Sequence, residues 1–133
     1  MPYLIDSDWM VDRLDEVPEA VTFLDAIAAD GIAISIITYL ELDEGVLRSE
    51  DPQASEQKLN AVLDGIPLIP LSRSVARRCA SMRHTLRQAG KRVNSRALDL
   101  IIAATAIEHG LTLVTRNIDD FADLEELSLY TTA

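Results

Sequence analysis

The segment Asn94–Gly110, NSRALDLIIAATAIEHG, most restricts how this chain folds. Ten of the twelve residues in Ala97–Glu108 carry no charge, and neither Gly nor Pro interrupts Ser95–His109. Ala and Leu favour helix, so a helix is expected. Its apolar residues point in every direction, which marks a helix buried on all sides rather than a surface amphipathic one. Asn94 or Ser95 is the expected cap, placing Asp99 in or just after the first turn. A carboxylate in such a helix needs a partner, because an unpaired buried charge is too costly. Either local N–H groups hold Asp99, or it is a metal ligand that meets other carboxylates brought in by the fold.

The remaining chain alternates short apolar runs with helical stretches. The expected strands are Pro2–Ile5, Ile32–Ile37, Pro67–Leu71 and Leu111–Thr115, with Leu127–Tyr130 as a fifth, edge strand. Helices are expected after Asp8 and over Pro18–Asp30, Tyr39–Arg48, Ala54–Leu63 and Ser72–Ala89. Continuous apolar strands between helices indicate a parallel sheet covered on both faces. The expected fold class is therefore α/β, a three-layer α/β/α sandwich around a mostly parallel sheet of four to five strands. With 133 residues and no linker or repeat, one domain over residues 1–133 is expected.

Several classes of function fall away on composition. No apolar run approaches the roughly 20 residues that span a bilayer, and MPYLIDSDWM lacks the basic and apolar regions of a signal peptide. Cys79 is the single cysteine, so no internal disulfide forms and a reducing cytoplasm is expected. His84 and His109 are isolated, so no zinc site is expected. The net charge of −10 is uneven: residues 1–72 carry −12, residues 73–116 carry +7 and residues 117–133 carry −5. The basic middle keeps a nucleic-acid substrate open, although a solvated helix face explains the same arginines.

Ligands of parallel α/β sheets collect at the carboxyl ends of the strands. Asp6 closes the first expected strand and Glu41 lies one turn beyond the second. Thr115, Arg116, Asn117, Asp119 and Asp120 follow the fourth. Each has an ordinary structural explanation: Asp6 as a turn or cap residue, Glu41 as the far end of a Thr38-x-x-Glu41 capping box, and the last group as a polar turn. Together with Asp99 they gather acid at one end of the sheet. Crowded carboxylates repel, and a hard divalent cation relieves them through oxygen ligands, which points to Mg²⁺ or Mn²⁺.

At this point a family resemblance becomes visible. Asp6-Ser7-Asp8, Ser35-x-x-Thr38-x-x-Glu41-Leu42, the run from Asp99 to Ala106 and the run from Thr115 to Phe121 (T-R-N-x-x-D-F) resemble PIN-domain ribonucleases. The order and size are most similar to the VapC-like toxins of toxin–antitoxin pairs. The resemblance implies metal-assisted phosphodiester hydrolysis of RNA, with Asp6, Glu41, Asp99, Asn117 and Asp120 catalytic and Asp6 and Asp99 touching the metal. It implies substrate contacts at Thr38, Thr115 and Arg116, a cognate antitoxin partner and a homodimer. Asn117 stands where many relatives carry Asp, and Asp8 where Asn, Ser or Thr is usual. Three rivals remain. Asp6-Ser7-Asp8 also resembles haloacid-dehalogenase-type phosphatases, though Trp9 and Met10 follow and no Lys stands ready. A receiver domain would need an Asp at Ser72 and a Lys at Arg116. A binding protein that keeps the fold without the chemistry is the third.

Overall fold

The computed structural model describes residues 2–131; Met1, Thr132 and Ala133 of the expected domain lie outside the described residues. Four strands, β1 (Tyr3–Ile5), β2 (Ile32–Ser35), β3 (Leu68–Ile69) and β4 (Thr112–Val114), form one sheet in the order β3-β2-β1-β4. Every pairing is parallel, with Leu4 beside both Ala33 and Leu113 and Ser35 beside Ile69.

The pleat divides the strand side chains between two cores. Leu4, Ala33, Ile69 and Leu113 face one layer, built on α5 (Arg73–Gln88), α6 (Ala97–Glu108) and α7 (Ile118–Phe121). Ile5, Ile34 and Val114 face the other, built on α1 (Ser7–Leu14), α2 (Pro18–Ala28), α3 (Ile36–Arg48) and α4 (Pro52–Leu63). Successive strand residues point to opposite faces, so a strand covered on both sides must be apolar throughout. This is the expected α/β/α sandwich.

α6 is the helix the sequence marked as buried on every side; its middle is enclosed, but Leu98 in its first turn is 44% exposed, so one face of its start is open. Ala103, Ala104 and Ala106 are wholly enclosed, and Leu100 and Ile102 nearly so. Its small residues let α5 and the sheet approach closely. Gly110 ends it at φ +65°, a backbone turn that glycine adopts without strain, and β4 begins two residues later.

Three expectations need correction. The cap of α6 is neither Asn94 nor Ser95. These residues join Arg96 in a 3₁₀ turn, and Arg96 occupies the cap position without a side-chain cap bond. The second helix of the sequence's middle starts at Ile36 rather than Tyr39. Ser35 caps it by accepting the Thr38 N–H at 3.1 Å, so no Thr38–Glu41 capping box exists and Glu41 is released from that duty. Leu127–Tyr130 contributes only a single parallel bridge, Leu113 to Leu129, so the sheet has four strands and a fringe.

β1 sits between β2 and β4, and the chain leaves it in one direction and returns on the other side much later. That reversal opens a crevice beyond the carboxyl ends of β1 and β4, the usual place for a ligand in such sheets.

Candidate active site

Asp6 and Thr115 meet in that crevice because β1 and β4 are neighbours. Asp6 is 4% exposed. Its Oδ1 accepts the Ser7 N–H at 2.8 Å, and its Oδ2 accepts the Thr115 hydroxyl at 2.7 Å. The turn-and-cap reading of Asp6 is thus true as well, since the same side chain starts α1. Thr115 Oγ1 in turn accepts the Asn117 N–H at 3.1 Å. The expected substrate contact at Thr115 is a buried group that fixes Asp6 and shapes the turn before α7.

Three carboxyl groups sense one another here. Burial pushes the Asp6 carboxyl up, and the charges of Asp8 and Asp99 add to this, while the bonds from Thr115 and Ser7 oppose it. Burial also raises Glu41, helped by Asp6, Asp99 and Glu44 against the Ser7 side chain. Asp99 is raised by burial and by Asp120, and Arg96 opposes the rise. Residues 6, 41, 99 and 120, far apart in sequence, therefore share one electrostatic neighbourhood. Among the described residues none of the four takes part in an ion pair.

The donor set is all oxygen, acidic, and without an internal counter-charge for Asp6 or Glu41, which suits a hard divalent cation. Among the described residues, no three His, Cys, Asp or Glu side chains are gathered tightly enough to form a closed cage.

The other expected residues sort differently. Asn117 is exposed at the head of α7, where its side chain makes no cap bond. Thr38 is 0% exposed and its hydroxyl accepts from Ser35 Oγ at 3.4 Å. The resemblance implied contact with substrate; the structure places it inside the first turn of α3, paired with Ser35. Arg116 is ion-paired with Asp12, and its guanidinium carbon lies 3.9 Å from the centroid of the Trp9 ring. Trp9 also packs against Phe23, at 4.6 Å between ring centroids. Asp8 is half-buried, and its charge helps to raise Asp6. It accepts the Arg116 N–H at 2.9 Å and the Trp9 N–H at 2.7 Å, latching α1 to the end of β4.

The supply of cations shrinks accordingly. Arg78 pairs with Glu108 and Glu126, and Lys91 and Arg96 pair with Asp123. Arg73, Arg77, Arg83, Arg87 and Arg92 have no carboxylate partner among the described residues. Sequence reasoning missed the role of Asp12, Asp123 and Arg96. A buried acid on an apolar helix calls for a nearby cation, so Arg96 had a signal; nothing in the linear order points to Asp123, 27 residues further on.

This fold and crevice define a PIN-domain protein, and the family model for the PIN domain matches residues 3–127. The chain belongs to the PIN domain family, in agreement with the motif resemblance, and the phosphatase and receiver rivals fall. Within the family its relatives are of the VapC kind. Ribonuclease VapC2 of Rickettsia felis is 31% identical over 131 residues, covering 97% of this chain and 96% of that protein. The crystal structure of VapBC2 from Rickettsia felis bound to a DNA fragment from their promoter superposes with a TM-score of 0.88 at 30% identity, over the full length of both chains. VapBC-5 from Mycobacterium tuberculosis, a member of the VapBC family of toxin-antitoxin systems, gives 0.73 at 26% identity over 98% of each chain.

Proposed function

We propose that this chain, as one PIN-like domain over residues 1–133, is a divalent-metal-dependent endoribonuclease and the toxin of a toxin–antitoxin pair. The observation that carries this reading is the convergence of Asp6, Glu41, Asp99 and Asp120 at the β1–β4 crevice, with none of them in an ion pair among the described residues. Asp6 and Asp99 would hold the cation, with Mg²⁺ first and Mn²⁺ as a substitute. When bound, a divalent ion lowers the pKa of an attacking water and offsets charge on the phosphate.

The protein's own groups do the rest. Thr115 and Ser7 hold the Asp6 carboxylate in one orientation, so it needs no rearrangement. Glu41, Asn117 and Asp120 accept hydrogen bonds from water and align it on phosphorus. The water oxygen attacks and gives up a proton to solvent, the bond from phosphorus to the leaving ribose oxygen breaks, and that oxygen takes up a proton from solvent. RNA phosphates need cations around an acidic crevice, and the arginines without carboxylate partners supply them. Arg116 joins them when substrate competes with Asp12 for its guanidinium. Leu40 and Leu47, 45% and 71% exposed on α3, offer apolar surface for an antitoxin or a second copy. A reducing cytoplasm suits the lone, buried Cys79.

The test is cleavage of RNA by the purified chain, freed of metal with EDTA and then supplied with Mg²⁺. Wild type cuts only with the cation, and Asp99→Asn loses at least 100-fold while remaining folded by circular dichroism. Cleavage by Asp99→Asn at the wild-type rate overturns the assignment. The fold-only binding protein, which Asn117 keeps in view, is distinguished by RNA binding without any metal-dependent product.

A further inference from the structure

One buried cation stands against the crevice without pairing any of its four acids. Arg96, 6% exposed, precedes Asp99 by three residues at the head of α6. Its guanidinium makes a forked pair with Asp123, Nη1 to Oδ2 at 2.9 Å and Nη2 to Oδ1 at 2.8 Å. Nη2 also donates to the backbone carbonyl of Asp120 at 2.8 Å. Lys91 Nζ lies 3.6 Å from the same Asp123 carboxylate. A single side chain therefore ties the start of α6 to α7 and to the loop that follows it.

We propose that Arg96 is a positioning residue, whose buried fork on Asp123 and on the Asp120 carbonyl sets where Asp120 stands relative to Asp99. α7 is one turn of four residues and has no side-chain cap. A turn that short does not persist by its own hydrogen bonds. Asp99 and Asp120 repel, so the Asp120 side drifts outward unless something holds its backbone. The buried Phe121 anchors one side of the turn and Arg96 the other. Only arginine presents a planar fork that serves a carboxylate and a carbonyl together; lysine offers a point charge. Asp123 neutralises the guanidinium, so the clamp sits beside the crevice without filling it with positive charge. Asp120 keeps its carboxylate oxygens for the water.

The effect on catalysis rests on the ribonuclease reading above; the clamp itself does not. The experiment uses the full chain with Arg96→Lys, Asp123→Asn and, as the conservative exchange, Asp123→Glu. Amide hydrogen exchange is followed over 117–123 and over α2, Mn²⁺ binding is measured by calorimetry with Mn²⁺ alone, and kcat and KM are measured on RNA. Arg96→Lys and Asp123→Asn are expected to speed exchange over 117–123 at least fivefold and leave α2 unchanged. Both should weaken Mn²⁺ binding by about tenfold, as loss of a group that orients a metal site does. They should lower kcat far more than they raise KM, and Asp123→Glu should recover part of each loss. Unchanged exchange over 117–123, exchange raised equally across the chain, or wild-type Mn²⁺ affinity in folded Arg96→Lys overturns the proposal. Should wild type neither bind Mn²⁺ nor cut RNA, the ribonuclease reading fails, and exchange over 117–123 still decides the clamp.

Discussion

Asp6 gives one oxygen to the start of α1 and the other to Thr115. Asp99 gives neither of its oxygens to a cap and is opposed by Asp120. The two acids therefore fail differently when neutralised. Asp6→Asn keeps acceptor capacity on one atom only and disturbs the Thr115 bond. Asp99→Asn removes repulsion and breaks no hydrogen bond seen in the structure. In EDTA at neutral pH, Asp99→Asn is expected to melt about 3 °C above wild type, a shift ordinary for relief of one unfavourable charge in a chain of this size. In Mg²⁺ the order reverses, because only wild type gains from binding. Differential scanning calorimetry in the two buffers reads both signs. These acids were legible in the sequence because each follows a recognisable strand or opens a recognisable helix. Thr38 was misjudged for a physical reason: the helix it belongs to starts three residues earlier than its β-branched neighbours Ile36 and Ile37 suggest, which turns Thr38 inward.

α6 shows how far an element can be read from its own residues. Its all-round apolarity announced burial, and the enclosed alanines explain why it packs against α5 and the sheet at once. Close approach leaves no room for a larger side chain. Ala103→Leu should cost about 1–3 kcal/mol through overpacking, read as a lower urea midpoint with an unchanged slope. The start of the helix was less legible. Asn94 and Ser95 are good caps, yet Arg87 and Arg92 occupy their side chains, through Asn94 Oδ1 at 3.1 Å and Ser95 Oγ at 3.2 Å, and the chain takes a 3₁₀ turn there. Composition favours a cap, but partners from α5 and from the preceding loop decide otherwise. The edge strand failed similarly, since two backbone bonds to Leu113 are all that residues 128–130 contribute.

For the molecule as a whole, the crevice and its clamp respond to pH in opposite senses. Asp6, Glu41 and Asp99 hold protons more tightly folded than unfolded, with burial the leading cause. The native state binds the extra protons between the ordinary carboxylate range near 4 and the raised values, so metal-free stability falls as pH rises through that window. Asp123 is lowered by Arg96, so its contribution is present above the ordinary carboxylate value and is lost as pH drops through the lowered one. Melting in EDTA is therefore expected to peak at mildly acidic pH, higher near pH 5 than near pH 7.5, with Mg²⁺ narrowing the difference. A melting point that climbs steadily from pH 5 to pH 8 in EDTA contradicts the raised values. The layered fold, the parallel sheet and the gathering of acids were all visible as patterns. The pairing of basic residues with Asp12, Asp123, Glu108 and Glu126 was not, because ion pairs 27 or more residues apart leave no periodic mark in a sequence.

Trp9 is the chain's single tryptophan, and its ring touches both Phe23 and the Arg116 guanidinium. The protein thus carries its own optical gauge at the mouth of the crevice. A polyanion that draws Arg116 away strips a cation from one face of the indole, and the emission of unlabelled protein shifts as it does so. Occupancy of the mouth can be followed in real time, before any bond is broken and without a dye.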